Sequence, residues 1–399
     1  MKKTLILILT ALISISLAYA SDVYDDWKND DYAYREIGGR PESLSVRMKG
    51  MGGAGLALTQ SANGLFVNPA SLADGELSLS FPSVSVTFHH FHDAIKRRDG
   101  EKSLFELLFD RKRNNAEFFS SLLSVIGTER SPLLEADCHT SFVTPYGLGL
   151  AINASDTVFS YSGSLINETG YSFSLGYGHS FSYGDFSLKL GTTTALRYLV
   201  FSQRIKAAFF VEGNNVWNEK FSFAYGWAFP VTDIGMKASW KGLTFALVLD
   251  DLFSSWHMGM QDSTIRDSLC GKSSSVDYSL FVIEKKASLS CGLAYENNWG
   301  DFEYAAAVDF NDILTFWTSD EMYSELGRRI LRRLKLGFEA GWRDIASLRF
   351  GLNGGYFTLG LSLRYSGLLI EAAYYWEEKG SDAGDIGLDG LSVRIRAGL

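Results

Sequence analysis

The feature that most constrains this chain is a strict alternation of apolar and polar side chains that recurs along most of its length. Between residues 171 and 181 the odd positions carry aromatic or other bulky side chains, and the even positions between them are all serine or glycine. The same period recurs in four further runs, at 302–310, 333–343, 357–365 and 391–399. Because successive side chains of a β-strand point to opposite faces of a sheet, this period predicts β-strands rather than helices.

The length of these runs and the position of their aromatic residues indicate a membrane barrel. Strands of soluble proteins average ~5–6 residues, whereas a tilted strand that crosses a membrane needs ~9–11, the length that most of these runs reach. Six aromatic residues lie at run ends, where interfacial girdles are expected: Tyr171, Phe181, Phe310, Trp342, Tyr365 and Trp376. A soluble β-sandwich is the alternative, since its strands alternate too.

The fold class predicted from these features is all-β, a transmembrane antiparallel β-barrel of about 14 strands with an N-terminal plug and a helical extracellular loop. The predicted strands are 76–88, 136–144, 147–159, 168–181, 184–201, 222–240, 242–250, 286–298, 301–310, 331–343, 346–353, 356–365, 368–378 and 389–399. Short connections alternate with long ones, as expected for periplasmic turns and outer loops.

The domain organisation follows from where the alternation begins. Residues 1–20 combine a basic start, an apolar run and a small-x-small cleavage motif, which predict a signal peptide, with a retained anchor as the alternative. Residues 21–75 do not alternate and are predicted to form a hatch or plug, and residues 76–399 form the outer-membrane β-barrel, with its helical extracellular loop at about 92–135. The predicted location is therefore the outer membrane, reached by export.

A glycine-rich stretch at 50–57 matches the G-x-G-x-x-G pattern of dinucleotide-binding loops. That function requires a preceding strand and a surrounding βαβ unit, and the sequence contains neither. We therefore predict that this stretch belongs to the plug and binds no cofactor.

The same stretch carries a resemblance to a known family. The segment that runs from Met51 through Asn68-Pro69-Ala70 to Ala73 resembles the plug of the long-chain fatty-acid transporter (FadL) superfamily. The C-terminal stretch 348–363, with 373–378 after it, resembles a poorly characterised spirochaete-type branch.

This resemblance implies a fourteen-stranded barrel that is closed by an N-terminal hatch and carries hydrophobic compounds. The hatch motif carried over to this chain consists of Gly52, Gly53, Asn68, Pro69 and Ala70. For Asn68, which precedes a proline and whose amide can bond to neighbouring backbone, a structural turn and a gating role both remain open.

The leading function hypothesis is passive uptake of hydrophobic small molecules such as long-chain fatty acids, with no cofactor. The alternative is a docking or interaction barrel, either secretion-associated or a surface adhesin, without transport. No Gly-x-Ser-x-Gly or His-Glu-x-x-His motif is present, so no enzyme activity is predicted. The net charge of −9 disfavours nucleic acid as a partner. The expected partners are the lipid bilayer, a hydrophobic ligand and, during biogenesis, the barrel-assembly machinery.

The extracellular loop is a candidate ligand-binding site. Two capping boxes, Ser103-x-x-Glu106 and Asn114-x-x-Glu117, predict two short helices. Apolar residues recur at helical spacing: Leu104, Leu107, Leu108, Phe118, Phe119, Leu122, Leu123 and Ile126. These helices either form an apolar cradle for a ligand or pack on each other and on the rim.

The alternation also predicts which charged side chains face the lumen. The candidate luminal contacts are Lys189, Arg197, Arg349, Arg364, Arg394 and Arg396, and Lys237, Arg333, Lys335 and Arg343 are assigned to the same face. These cations either guide a carboxylate head group or match the charge of the acidic segment 22–36 of the plug.

A metal site is the weakest of the candidate sites. His90, His92 and His139 are predicted to lie at one rim, and imidazole suits zinc. A solvated rim explains the same residues, so no metal is predicted.

Overall fold

A computed structural model describes residues 45–96, 103, 106–107, 131–161, 164–202, 205–206, 220–264, 267, 281–318, 326–378, 383 and 387–398. The predicted signal peptide, residues 21–44 of the predicted plug and most of the predicted helical loop lie outside these described residues.

Fourteen antiparallel strands form one closed barrel. They are β1 (Ser78–His89), β2 (Ser131–Val143), β3 (Leu148–Tyr161), β4 (Ser164–Tyr183), β5 (Phe186–Ser202, continued by Ile205–Lys206), β6 (Lys220–Trp240), β7 (Leu243–Leu252, continued by Ser255–Thr264), β8 (Phe281–Glu284 and Ser288–Trp299), β9 (Phe302–Phe310), β10 (Leu334–Trp342), β11 (Ala346–Asn353), β12 (Tyr356–Tyr365), β13 (Leu368–Glu378) and β14 (Gly387–Gly398). Each strand pairs with the next one along the chain, and β1 pairs with β14, which closes the barrel. The predicted fold class is confirmed.

The observed strand boundaries differ most from the predicted ones in β2, β7 and β8. Strand β2 begins at Ser131 rather than at 136. Strand β7 continues to Thr264, beyond its predicted end at 250. The continuation was not predicted because Asp251 and Phe253 adopt positive φ angles of 56° and 61°, which interrupt the alternation. Strand β8 likewise begins earlier, at Phe281, and pairs with the continuation of β7. Local bulges of this kind shift the period of two, so the pattern hid the continuation.

The apolar face of the alternation points outwards, as the sequence indicates. In β12, Leu359 and Leu361 are 60% and 43% exposed, whereas Thr358 and Ser362 on either side of them are 1% and 4% exposed. The same strand therefore presents leucines to the outside and small polar side chains to the lumen.

The helices are short and lie at the ends of the barrel or inside it. They are α1 (Val46–Gly50), α2 (Ser61–Gly64), the 3-10 helix Pro69–Asp74, α3 (Phe91–Ile95), α4 (Ile313–Thr318) and α5 (Leu326–Arg333). Within the described part of the chain, no helix combines the length and the apolar character that a membrane crossing requires. Arg333 ends α5, so its assignment to a luminal strand position is wrong, because the chain is helical up to the start of β10.

Residues 45–75 lie inside the barrel, and we call them the luminal segment. Two apolar clusters join this segment to the wall. In the first, Met51 and Leu56 pack with wall residues such as Ala246 and Ala294. The second contains Leu65, Phe66 and Leu72 of the segment with Val143 and Ala151 of the wall. Two hydrophobic clusters of the described residues therefore lie between the segment and the wall.

Candidate functional site

The inner wall contacts the luminal segment through glycines that come from eight different strands. We call this set the glycine belt: Gly149, Gly176, Gly178, Gly191, Gly235, Gly292, Gly337, Gly351 and Gly360. A Cβ atom on Gly191 would overlap the carbonyl oxygen of Pro69, and one on Gly337 would lie 2.6 Å from the carbonyl oxygen of Met51. The absence of side chains at these positions lets the backbone of the segment rest directly on the wall.

The predicted hatch glycines lie at this contact. Gly52 has a φ of +68°, and a Cβ there would lie 2.5 Å from the carbonyl oxygens of Leu336 and Leu352. Gly53 has a φ of +83° and packs against the side chain of Lys335. At Gly52 both the backbone conformation and the available space require glycine.

A wall carboxylate holds the segment at its next turn. Asp309 of β9 is fully buried, and its Oδ2 accepts hydrogen bonds from the backbone N–H groups of Gly55 at 2.6 Å and of Leu56 at 2.9 Å. Bonds from N–H groups to an ionised carboxylate are among the stronger hydrogen bonds in proteins. Asp309 therefore fixes the glycine-rich turn to one height in the barrel.

Asn68, Pro69 and Ala70 form the second fixed point. The Oδ1 of Asn68 accepts from the N–H of Ala70 at 3.1 Å and caps the 3-10 helix, and Pro69 occupies its first position. The Nδ2 of Asn68 donates to the carbonyl oxygen of Leu56 at 3.0 Å, and Asn68 itself is fully buried. These bonds tie the Asn-Pro-Ala turn to the glycine-rich turn at Leu56, which supports the structural-turn interpretation of Asn68.

Ion pairs complete the contact between the segment and the wall. Arg47 binds Glu339 of β10 through two bonds of 2.8 and 3.0 Å and donates a third, of 3.0 Å, to the carbonyl oxygen of Leu58. Burial alone would lower the pKa of Arg47, but the attraction of Glu339 outweighs it and raises the pKa above its usual value. Lys49 pairs with Glu135 at 3.5 Å. In the described part of the segment, cations therefore face wall carboxylates here. The acidic residues 22–36, on which the predicted charge match with the barrel depends, lie outside the described residues.

On the side of the short turns the charges are reversed, and a carboxylate of the segment meets a cation of the wall. Asp74 of the segment accepts from Lys189 of the wall at 2.8 Å. Lys237 is buried, and its Nζ donates to the carbonyl oxygen of Thr59 at 2.5 Å. The predicted luminal position of Lys189 thus corresponds to a contact with the segment.

Three of the candidate luminal arginines form ion pairs within the wall. Arg197 binds Asp251 at 2.8 Å. Arg394 binds Glu371, with one bond of 2.7 Å, and Arg349 lies between Glu339 and the same Glu371. These three arginines are therefore paired with carboxylates of the wall itself, and neither the head-group nor the plug interpretation is tested by these contacts.

The remaining arginines are placed differently. Arg364 binds Asp344 at 2.6 Å at the solvent-exposed end of the barrel. Arg396 has no hydrogen-bond or ion-pair partner among the described residues. Arg343 lies on an exposed turn and binds Asp301 at 2.7 Å, so its assignment to the lumen is wrong, because β10 already ends at Trp342.

An apolar patch covers the inner wall on the side of the long loops, and sequence reasoning missed it. In β5, β6 and β7, Leu199, Gly226 and Met258 form one cross-strand row and Phe201, Ala224 and Met260 form the next. Trp256, in the adjoining row, is 2% exposed. We call this set the apolar patch. In β5 and β6 both faces are apolar here, so alternation, which detects contrast between faces, does not reveal the patch. In β7, Trp256 and Met258 do alternate with Ser255 and His257, but the apolar face is the inner one.

Little of the predicted loop site falls on described residues. Its first capping box is confirmed: the N–H of Ser103 donates to Glu106 at 3.1 Å, and the N–H of Glu106 donates to Ser103 Oγ at 3.2 Å. Leu107 is fully buried. The other candidates lie outside the described residues: Leu104, Leu108, Phe118, Phe119, Leu122, Leu123 and Ile126.

The three histidines proposed for a metal are not brought together. His90 and His92 lie beyond the end of β1, and the Nε2 of His90 is 2.8 Å from Ser131 Oγ. His139 lies in the middle of β2, opposite Ser83, because β2 begins earlier than predicted. Among the described residues, no group of three or more His, Cys, Asp or Glu side chains is placed to hold a metal ion.

Comparison with known proteins gives only distant structural likenesses. No protein-family model and no curated protein sequence matches this chain. The Pseudomonas putida toluene transporter TodX is 10% identical, with 89% of this chain and 97% of that one covered and a TM-score of 0.42. The Ralstonia pickettii toluene transporter TbuX is also 10% identical, with 88% of this chain and 96% of that one covered and a TM-score of 0.38. The translocator domain of autotransporter NalP from Neisseria meningitidis is 10% identical, with 81% of this chain and 87% of that one covered and a TM-score of 0.35. At these identities and TM-scores the likenesses carry no argument about function.

Proposed function

We propose that this chain is an outer-membrane channel for the passive uptake of hydrophobic small molecules, closed by the luminal segment acting as its plug. The observation that carries the proposal is the apolar patch, which lies on the loop side of a segment bonded to the wall around much of its circumference. A closed lumen that is lined by apolar side chains on its loop side suits a hydrophobic compound better than an ion or a sugar.

The outer surface of the barrel fits a bilayer. Exposed aromatic side chains gather at the ends of the strands on the short-turn side: Tyr146, Tyr183, Trp240, Trp299, Trp342 and Tyr365. Such girdles mark the interface between hydrocarbon and water, and exposed aliphatic residues such as Leu359 lie beyond them along the strands. In this proposal the short turns face the periplasm, residues 1–20 direct export, and the barrel-assembly machinery inserts the folded chain.

The apolar patch also contains one unused polar group. Trp256 Nε1 is buried and, among the described residues, has no hydrogen-bond acceptor. A buried donor without a partner is costly, so a ligand with a single acceptor would gain a bond there. Long-chain fatty acids are the substrates implied by the resemblance to the FadL superfamily, and the apolar patch supports the broader class of hydrophobic compounds.

The proposal is tested by uptake in cells whose outer membrane excludes hydrophobic probes. We expect cells that display the barrel to take up the neutral dye N-phenyl-1-naphthylamine faster than cells without it. Met258→Gln, which places an amide in the apolar patch, should lower the initial rate roughly threefold to tenfold, because apolar contact is lost.

The matched control is Lys241→Gln, on an exposed short turn, which should leave the rate unchanged at equal surface abundance. Equal dye uptake with and without the barrel, together with stable capture of a protein partner, would contradict transport and favour the docking alternative.

A further inference from the structure

A groove of about 520 Å³ crosses the outer face of the barrel wall, and we call it the outer groove. Its floor includes Ala306 of β9, whose register partners on the neighbouring strands are the larger Tyr295 and Phe338. The next cross-strand row towards the loops also lines it, with Leu293, Val308, Leu336, Leu352 and Phe357. Apolar and aromatic side chains of this kind suit a hydrocarbon chain.

The helices α4 and α5 lie at the loop end of the outer groove. Phe310 is the next outward-facing residue of β9 after Val308, and the ring of Phe316 in α4 lies edge-on to it, with centroids 5.8 Å apart. The guanidinium of Arg333, the last residue of α5, lies 5.6 Å from the centre of the Phe316 ring. Because this stack begins on the outer face, it places the end of α5 at the outer rim of the barrel.

The eight residues of α5 form an amphipathic helix. The apolar side chains of Leu326, Ile330 and Leu331 are all exposed. The other side of the helix carries four arginines and the helix contains no acidic residue; the arginines are Arg328, Arg329, Arg332 and Arg333. An exposed amphipathic helix with cations on its polar side is typical of one that lies between the hydrocarbon and the head groups of a membrane.

Arginine side chains are well suited to bind the phosphate of a lipid head group. The planar guanidinium presents paired N–H groups to two phosphate oxygens. It has five N–H donors in all, so an arginine that bonds within the chain, as Arg333 does to the carbonyl oxygen of Arg329 at 3.5 Å, can bind a phosphate as well.

We propose that α5 and the outer groove together bind one phosphate-bearing membrane lipid, with an acyl chain in the groove and the phosphate on the arginines. Ala306 and Phe310 are ~13 Å apart along β9, so the groove begins directly below the level of the arginines, in the order in which chain and phosphate follow each other in a lipid. The charge of α5 complements a phosphate, and the groove is continuous with the lipid-facing wall. This site lies outside the lumen and goes beyond the proposed channel function.

Native mass spectrometry of the purified full-length barrel in detergent measures lipid binding without relying on transport. Three probes separate the parts of the site. Dioleoylphosphatidic acid has both chains and phosphate, dioleoylglycerol has the same chains without phosphate, and glycerol 3-phosphate has the phosphate without chains. We expect the phosphatidic acid to bind roughly tenfold more tightly than dioleoylglycerol, and glycerol 3-phosphate to bind more weakly than either.

Two variants test the two halves of the site separately. Arg328→Gln combined with Arg332→Gln, one turn apart on α5, should weaken the binding of the phosphatidic acid roughly tenfold and leave that of dioleoylglycerol unchanged. Ala306→Trp fills the outer groove and should weaken the binding of both lipids.

Each variant has a matched control. Lys241→Gln combined with Arg343→Gln removes the same charge from exposed short turns at the other end of the barrel. Ala154→Trp adds the same side chain on the outer face of β3, beside Tyr171. Neither control should change the binding of any probe.

Several outcomes would overturn the proposal, whatever the dye-uptake assay shows. One is equal binding of the two lipids, or no effect of the arginine variant, as expected if the acidic loop residues Asp320, Glu321 and Glu325, which lie outside the described residues, neutralise α5. Tight binding of glycerol 3-phosphate would assign the arginines to a soluble phosphate. A barrel dimer that Ala306→Trp abolishes would assign the groove to a second copy of the chain.

Discussion

The loop side and the short-turn side of the lumen have opposite chemistry, and the luminal segment separates them. On the loop side, β5 presents Phe201, and β7 presents Trp256 and Met258. On the short-turn side, β12 and β14 present Arg364 and Arg396 around a polar cavity. This difference in chemistry defines a direction along the barrel axis.

The two sides of the lumen stay separate only while the luminal segment stays in place, and two kinds of contact keep it there. The glycine belt allows backbone to lie on backbone, whereas Asp309 and Glu339 hold particular atoms. The backbone contacts let the segment pack closely against the wall, and the bonds to Asp309 and Glu339 fix its position along the barrel axis. The following variants remove these contacts separately.

Of the three variants, Asp309→Ala should most strongly disturb the segment that separates the two sides of the lumen. Two buried N–H groups, of Gly55 and Leu56, would lose a charged acceptor, which should lower the free energy of unfolding by about 3 kcal/mol. The measurement is chemical unfolding of the barrel, together with hydrogen exchange at Gly55 and Leu56. Glu303→Ala, on the exposed end of the same strand and the same face, is the control and should stay close to the wild type. Unchanged exchange at Gly55 would show that Asp309 does not hold the turn.

Gly337→Ala should have the next largest effect. The new Cβ would lie 2.6 Å from the carbonyl oxygen of Met51, so the segment must shift, at a cost of about 1–3 kcal/mol. Leak conductance in planar bilayers should rise as the two sides of the lumen connect.

Gly341→Ala provides the matched control on the same strand and face, because its Cβ would meet nothing closer than 3.5 Å. We expect its conductance to equal that of the wild type. The same conductance in the Gly337 and Gly341 variants would show that the belt does not seal the lumen.

Lys189→Met should have the smallest effect and sharpens the comparison on the short-turn side. Its bond to Asp74 is partly exposed, so its loss should cost about 0.5 kcal/mol. The effect on unfolding should disappear in 1 M KCl, where the Debye length is ~3 Å. An effect that persists in high salt would mean that this pair is shielded from solvent.

Much of the fold is predictable from the sequence because one physical rule, alternation, acts locally. Strand β12 was predicted at 356–365 and is observed at Tyr356–Tyr365. The rule fails where bulges reset the period, as at Asp251 and Phe253, and where both faces are apolar, as around Leu199 and Phe201. The glycines and the Asn-Pro-Ala sequence of the luminal segment are recognisable in the sequence, but the wall residues that meet them are not.

The candidate site depends on contacts between residues far apart in the chain. Arg394 and Arg396 lie two residues apart on the same face and are indistinguishable by pattern. Register alone separates them, since Arg394 faces Glu371 and Arg396 faces Leu369 on β13. One arginine is thereby neutralised within the wall, and the other is left facing a cavity.

The sequence by itself determined the strand count, the face of each strand that turns outwards and the place where the glycine-rich segment begins. Those properties follow from side-chain direction and turn chemistry, which act over a few residues. Tertiary structure alone decided that glycines from eight strands meet one short segment, and that Asp309 binds Gly55. Barrel closure and strand register set those distances, and neither leaves a local mark in the sequence.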